Sequence, residues 1–444
     1  MRRPILAAAG ILPATRAKLG LPLLAPDNYV TLDQMSLTRD AWLLFTTRFT
    51  RLFAYGAISV VLVLYLTGLG LTASQTGLLF TLILAGDTVI SLILTNVADR
   101  WGRRRVLITG AILMAGAGLA FALTTNFLFL LLAGTIGVVS PSGNEVGPFL
   151  PVEQAMLAHV VPAKNRTAVF AWHSLIGSFA TALGALAGGL IPGMVQSGSA
   201  AALAGYRAVV VLYACGGLLL AAIFASLSQT SEVRDVAAAP KGMLGIGHSR
   251  SVVLKLAALM GLDAFGGGFV VQSLAAYWFY LKFGVEPATL GGIFFAANLF
   301  AGISALLASR LAARFGLVNT MVFTHLPSNV LLIMVPLMPT LPLAITFLLL
   351  RFSISQMDVP TRQSYLMAVV RPEERSAAAG ITGVARTIGA SLAPWIAGIL
   401  FTNPSLLSVP FFLAGALKIA YDLILYRQFV SLAPPEELQS EPRP

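Results

Sequence analysis

The chain reads as an all-α polytopic membrane protein, with about twelve transmembrane helices in two pseudo-symmetric six-helix halves. Three observations carry this. The 444 residues are 57% hydrophobic and only 11% charged, and mean hydropathy is +0.84, a composition that excludes a soluble enzyme with a polar exterior. Apolar runs of about 20 residues, the length that crosses a hydrocarbon core of about 30 Å as a helix, follow one another from Ala41 almost to the end. A segment near residue 151 also returns near residue 360.

In chain order, residues 1–40 form an expected cytoplasmic tail. Its short apolar stretches are broken by Pro4, Pro13, Pro22 and Pro26, and Arg2, Arg3, Arg16 and Lys18 suit anionic headgroups. Pro13 and Arg16 interrupt what would be the apolar core of a signal peptide. Spans are expected near 41–68, 73–98, 104–123, 126–157, 166–191 and 205–228, and again near 251–282, 287–310, 317–337, 340–367, 374–401 and 406–428. The polar stretch 229–250 separates two halves, 41–228 and 251–430, and 431–444 forms a second tail. Lys and Arg gather in alternate turns, at Arg100 to Arg105, Lys164, Arg166, Arg310, Arg314, Arg371 and Arg375, while Arg207 and Lys282 are exceptions on the other side. By the positive-inside rule both termini are cytoplasmic, in a multi-pass protein of the cell (inner) membrane.

The halves are related by a parallel repeat. PVEQAMLAHVVPAKNRTA and PTRQSYLMAVVRPEERSA align Pro151 with Pro360, Gln154 with Gln363, Leu157 with Leu366 and Arg166 with Arg375, an offset of 209 (360 − 151 and 375 − 166). ADRWG, ending at Gly102, is echoed by AARFG, ending at Gly316.

The stretch Thr95 to Ile108, TNVADRWGRRRVLI, is the most charged turn between two spans. Gly102 permits a tight turn between helices, and Asp99 near a helix end can accept from arginine. The segment resembles the loop between the second and third helices of the major facilitator superfamily, roughly G-x-x-x-D-R-x-G-R-R. Asp99, Arg100, Gly102, Arg103 and Arg104 match, and Thr95 stands where that family usually has glycine. Two subfamily patterns are absent: the sugar-porter glutamate would fall on His159 and Ala368, and the glycine-proline signature of drug/proton antiporters lacks its proline among Gly177, Gly184, Gly188 and Gly189. The resemblance covers about residues 40–428 and implies a solute site between the halves near the midplane.

Ionisable side chains within a bilayer are costly, about 2.5–3.5 kcal/mol each on an insertion scale, and so mark functional positions. They occur here as Arg48 and Arg51 in span one, Asp87 in span two, Glu145 and Glu153 in span four, His173 in span five and Asp263 in span seven. Arg351, Asp358 and Arg362 follow in span ten, Arg386 in span eleven, and Lys418 with Asp422 in span twelve. Lys418 and Asp422, one turn apart, read as a local pair.

The resemblance implies that spans one, four, seven and ten line the cavity, which makes Arg51, Glu145, Asp263, Arg351 and Asp358 the candidates for solute or proton contact. Bilayer burial disfavours a charged carboxylate, which suits Asp263 and Glu145 to loading and releasing a proton. Asp87 with Arg386, and Glu153 with Arg362, are expected to join the halves or gate them, together with Asp99, Arg100, Gly102, Arg103 and Arg104. Arg51 and Arg351 would suit an anion such as a carboxylate or phosphate ester.

The expected function is secondary active transport of a small solute by alternating access, coupled to protons, in a monomer that needs no cofactor. No phosphate-binding G-x-x-x-x-G-K-[ST] loop, metal-ligand cluster or nucleophile motif supports an ATPase or an enzyme. The net charge of +11 lies in loops between spans rather than along one polar face, which argues against nucleic acid. The competing class is a membrane sensor or scaffold that keeps the fold, which long extramembrane segments would favour.

Overall fold

A computed structural model describes residues 37–162, 165–195, 199–228, 247 and 249–430. Residues 1–36 of the expected first tail, all but a few positions of the linker, the whole second tail and the side chain of Asp99 lie outside the described set.

The described residues contain helices and no strand. In chain order the α-helices are α1 (Arg39–Gly68), α2 (Ala73–Trp101), α3 (Arg103–Leu123), α4 (Phe127–Ile136), α5 (Phe149–Val160), α6 (Arg166–Met194) and α7 (Ser199–Ala225). The second half contains α8 (Arg250–Gly268), α9 (Gln272–Phe283), α10 (Pro287–Phe315), α11 (Leu317–Met334), α12 (Leu341–Ser355), α13 (Asp358–Val369), α14 (Arg375–Leu400) and α15 (Val409–Phe429). Polar residues set the starts. Thr38 caps α1 through the Ala41 amide, Thr72 and Gln75 form a reciprocal capping box on α2, and Asn126 caps α4. Large apolar side chains remain exposed along the outside, among them Leu123, Leu128, Phe129 and Phe323. Such a surface is suited to lipid rather than water.

Eleven helical stretches among the described residues are long and apolar enough to cross a membrane. The expected twelfth, span four, is not one helix. It stops at Ile136 and resumes at Phe149, because Gly137, Pro141, Gly143, Gly147 and Pro148 crowd the stretch between. Gly143 and Gly147 take positive φ there, and proline cannot donate to a helical ladder. Span seven also breaks, between α8 and α9, after Gly266, Gly267 and Gly268. Span ten breaks at Gln356 and Met357, just ahead of Pro360.

The repeat is visible in the helix bounds. α5 and α13 begin and end at one offset, 209 (358 − 149 and 369 − 160), so spans four and ten resume at matched depths. α2 and α10 likewise share the offset 214 (287 − 73 and 315 − 101). Each ends on a glycine, Gly102 at φ 105° and Gly316 at φ 83°, a conformation that a side chain would strain.

The halves meet through α2 against α14 and through α6 against α10. These contacts are closest at the end away from the arginine-rich turns. A Cβ on Gly189 would lie 2.4 Å from the Pro287 carbonyl oxygen and 2.6 Å from the Gly291 Cα, so only glycine lets the two backbones touch. Polar side chains knit the same region. Ser273 Oγ donates to the carbonyls of Ser59 and Pro141, both at 2.7 Å, and Gln272 Nε2 donates to Ser59 Oγ at 2.8 Å. The broken stretches of spans four and seven, whose backbone groups are free of helix bonding, supply part of this latch.

Candidate functional site

Between the halves lies a cavity of about 650 Å³ whose wall includes Arg48, Asp87, Glu145, Asp263, Arg351 and Arg386. Two charged networks back it, one in each half.

In the first half, the helical spacing of α1 sets Arg48 and Arg51 on one face, and the break in span four lets Glu145 reach them. Arg48 Nη1 donates to Glu145 Oε1 at 2.6 Å, and Arg51 donates to both Glu145 oxygens at 3.0 and 3.1 Å. Arg51 also grips Glu153 on α5, Nη1 to Oε1 at 2.7 Å and Nη2 to Oε2 at 2.8 Å. Thr47 Oγ1 adds a third bond to Glu153 at 2.8 Å, and the Arg51 guanidinium lies 4.7 Å from the centre of the Phe149 ring. Two guanidinium groups therefore meet two carboxylates, and both Arg51 and Glu153 are sealed from solvent. A buried charge is tolerable only when it is paired and hydrogen-bonded in this way.

In the second half, Asp263 on α8 is the hub. Lys418 Nζ donates to its Oδ1 at 2.6 Å and Arg362 Nη1 to its Oδ2 at 3.1 Å. Arg362 also meets Asp358 at 3.2 Å, one turn back on α13. On α11, His325 Nδ1 lies 2.8 Å from Asp422 Oδ1, and Asn329 Nδ2 donates to Asp422 Oδ2 at 2.9 Å.

Glu145, Asp263, Arg351 and Asp358 line the cavity. Arg51 lies behind the wall, fully buried. Asp87 and Arg386 come from opposite halves to the same cavity, yet they do not pair in this conformation; Asp87 accepts instead from the Gly147 amide at 2.6 Å. Glu153 and Arg362 are each paired within their own half in this conformation, Glu153 with Arg51 on α1 and Arg362 with Asp263 on α8. In the arginine-rich turn, Arg100 is exposed and Arg104 donates to the Ala225 carbonyl at the end of α7. Arg103 follows directly on the Gly102 turn at the first position of α3.

Lys418 and Asp422 do not form the expected local pair, since Lys418 turns toward Asp263. Sequence reasoning passed over His325 and Asn329 altogether. Their signal was present, as two polar residues four apart in the apolar span nine.

Arg351 and Arg386 stand apart from both networks. Both line the cavity, the Nε atoms of both are buried without a hydrogen-bond partner, and neither takes part in an ion pair among the described residues. Arg351 rests its guanidinium 4.8 Å from the centre of the Phe352 ring. The wall thus presents two arginines that make no ion pair among the described residues.

The sequence profile of the Major Facilitator Superfamily matches residues 44–394 and 256–444. The chain is 33% identical over 440 residues to the uncharacterized membrane protein YJR124C of Saccharomyces cerevisiae, covering 92% of this chain and 98% of that one. Among solved structures, it resembles a bacterial homolog of the human lysosomal transporter Spinster in an inward-facing and occupied conformation. The TM-score is 0.69 and the identity 17%, over 88% of this chain and 97% of that one. It also resembles a D-xylose-proton symporter, with TM-score 0.67 and 15% identity over 87% and 97% of the two chains.

Proposed function

The chain belongs to the Major Facilitator Superfamily, and from that premise we propose that it moves a small anionic solute by alternating access, driven by coupling to protons. The carrying observation is the pair Arg351 and Arg386, two cations in the cavity wall that make no ion pair among the described residues and whose Nε atoms have no hydrogen-bond partner. Each has a buried Nε without a partner in the protein, and a carboxylate or phosphate ester entering the cavity supplies the missing hydrogen bonds. Arg51 lacks that role, since Glu145 and Glu153 already satisfy it.

The second-half network supports the proton part of the reading, because it joins titratable groups to the cavity wall through Asp263. With the arginine-rich turns cytoplasmic, both termini are cytoplasmic in the cell membrane. The halves 41–228 and 251–430 then rock about a central site. The close contacts at Gly189 and Ser273 belong to the end opposite those turns, so this conformation is the one open toward the cytoplasm.

The test begins with a thermal-shift screen of purified protein against small carboxylates and phosphate esters alongside neutral sugars and amines. A ligand that binds the folded state raises its apparent stability. The reading expects anions to dominate the hits, and expects a hit to accumulate in proteoliposomes when a pH gradient is imposed. A screen in which only neutral or cationic solutes stabilise the protein would overturn it.

A further inference from the structure

The two unpaired arginines of the cavity wall face an unpaired acid. Asp87, on α2 of the first half, makes no ion pair among the described residues, whereas the other three carboxylates of the wall, Glu145, Asp263 and Asp358, each meet an arginine or a lysine. The break in span four brings the Gly147 amide to Asp87 Oδ1 at 2.6 Å, and Ser91 Oγ, one turn along α2, donates to the same oxygen at 3.4 Å. No hydrogen bond among the described residues reaches Oδ2. Asp87 is only 6% exposed, and a carboxylate so far out of water, held by two neutral donors on one oxygen, lacks a cation.

The opposite side of the cavity has the converse need. Arg351 Nε and Arg386 Nε are buried without partners, and Ser355, one turn after Arg351 on α12, lines the same wall with its buried hydroxyl also unpartnered. The internal repeat separates these charges from those that tie the spans together. Glu153 and Arg362 are both charged at matched positions, but the counterpart of Asp87 is Ala301 (301 − 87 = 214) and that of Arg386 is Gly177 (386 − 177 = 209). Equivalent spans therefore pack at those positions without a charge.

We propose that the solute carries an ammonium group as well as acid groups, the ammonium meeting Asp87 in the first half and the acid groups meeting Arg351 and Arg386 in the second. This names the solute class within the anionic reading above and rests on it. Two guanidinium groups against one carboxylate leave one positive charge. The solute that balances all three has two negative charges and one positive, as an amino dicarboxylate or the phosphate monoester of an amine does. Either places N–H donors at the acid of one half and acceptor oxygens at the arginines of the other. It spans the gap across which Asp87 and Arg386 do not pair. A plain dicarboxylate sets an anion beside Asp87, and a plain amine leaves both arginines unanswered, so each binds more weakly.

The test is thermal-shift titration of the full-length protein with pairs of compounds that differ only in the amine: glutarate and glutamate, adipate and 2-aminoadipate, ethyl phosphate and O-phosphoethanolamine. In at least one pair the amine-bearing member is expected to act at a concentration about tenfold lower or less, and which pair responds separates carboxylate from phosphate. Asp87→Asn should reduce that preference to about twofold or less, and Arg386→Gln should weaken both members of the pair. Asp87→Ser, which keeps a small polar group for the Gly147 amide, is the second variant. Equal response within every pair of the wild type overturns the ammonium and leaves the anionic reading standing, whether or not any variant folds. No response to any of the six, with other anions stabilising the protein, does the same. Stabilisation by butylamine but by none of the acids overturns both. A preference that survives in Asp87→Asn or Asp87→Ser overturns the assignment to Asp87.

Discussion

Arg51 on α1 and Glu153 on α5 are joined by two parallel hydrogen bonds of 2.7 and 2.8 Å, both side chains fully buried. The second half holds the same bond with its charges exchanged, for Asp263 on α8 meets Arg362 on α13 at 3.1 Å. Glu153 and Arg362 occupy matched positions of the repeat (362 − 153 = 209). Each half therefore ties its first span to the inner segment of its broken fourth span by one buried ion pair of opposite polarity.

Breaking one partner of such a pair strands the other charge. Arg51→Gln and Glu153→Gln should each lower stability by about 3–5 kcal/mol, and the double variant by less than the sum of the two. Unfolding of the four proteins in detergent, followed by denaturant titration, gives the coupling. A purely additive double variant would show that the pair carries no energy of its own.

Arg351 and Arg386 should behave in the opposite way. Because each is half-buried, with a buried Nε that has no hydrogen-bond partner and no carboxylate within ion-pair distance, Arg351→Gln or Arg386→Gln should leave the unliganded melting temperature unchanged or higher. Either should also weaken the thermal stabilisation by an anionic ligand about tenfold or more in midpoint concentration, a loss of about 1.5–3 kcal/mol typical of a hydrogen bond to a charged group. Loss of stability with ligand response intact would assign these arginines to structure.

Lys418 has two possible acidic partners, and a double-mutant cycle separates them. The coupling between Lys418→Met and Asp263→Asn should exceed about 1 kcal/mol, as for a buried network. That between Lys418→Met and Asp422→Asn should be smaller. Equal couplings would mean that the ammonium is shared between both acids.

Gly189→Ala adds a methyl group 2.4 Å from the Pro287 carbonyl oxygen, with backbone on both sides and no flexible side chain to give way. It should force α6 and α10 apart at the end away from the arginine-rich turns. Double electron–electron resonance between labels on those two helix ends should report a longer mean distance and a broader distribution. An unchanged distribution would mean that this contact does not hold the halves in their present arrangement.

Much of the architecture was legible in the residues. Apolar runs of bilayer length, the alternation of basic turns and the offset of 209 are each properties of the chain read along itself. Eleven of the expected twelve spans emerge among the described residues as apolar helical stretches and the fourth as two short helices, with the α5 and α13 bounds matched at one offset. The glycines and prolines of 137–148 could have revealed the break in span four, but a hydropathy run does not register a lost helix bond. His325 and Asn329 stood four apart in an apolar span, but nothing local distinguishes a packing histidine from one that reaches an acid on another helix.

Sequence by itself determined what each segment must do alone: enter lipid, turn, or stay on the basic side. Hydropathy and helix length are sums over neighbouring residues, so they need no partner to be read. The choice of partner for each buried charge was decided by tertiary structure. Lys418 stands one turn from Asp422, yet it reaches Asp263 at 2.6 Å on another helix, while Asp422 takes His325. Ion pairing falls steeply with distance and with loss of water, so it depends on which helix faces meet and where the broken spans let a side chain through. Those positions are fixed only when all the helices pack together.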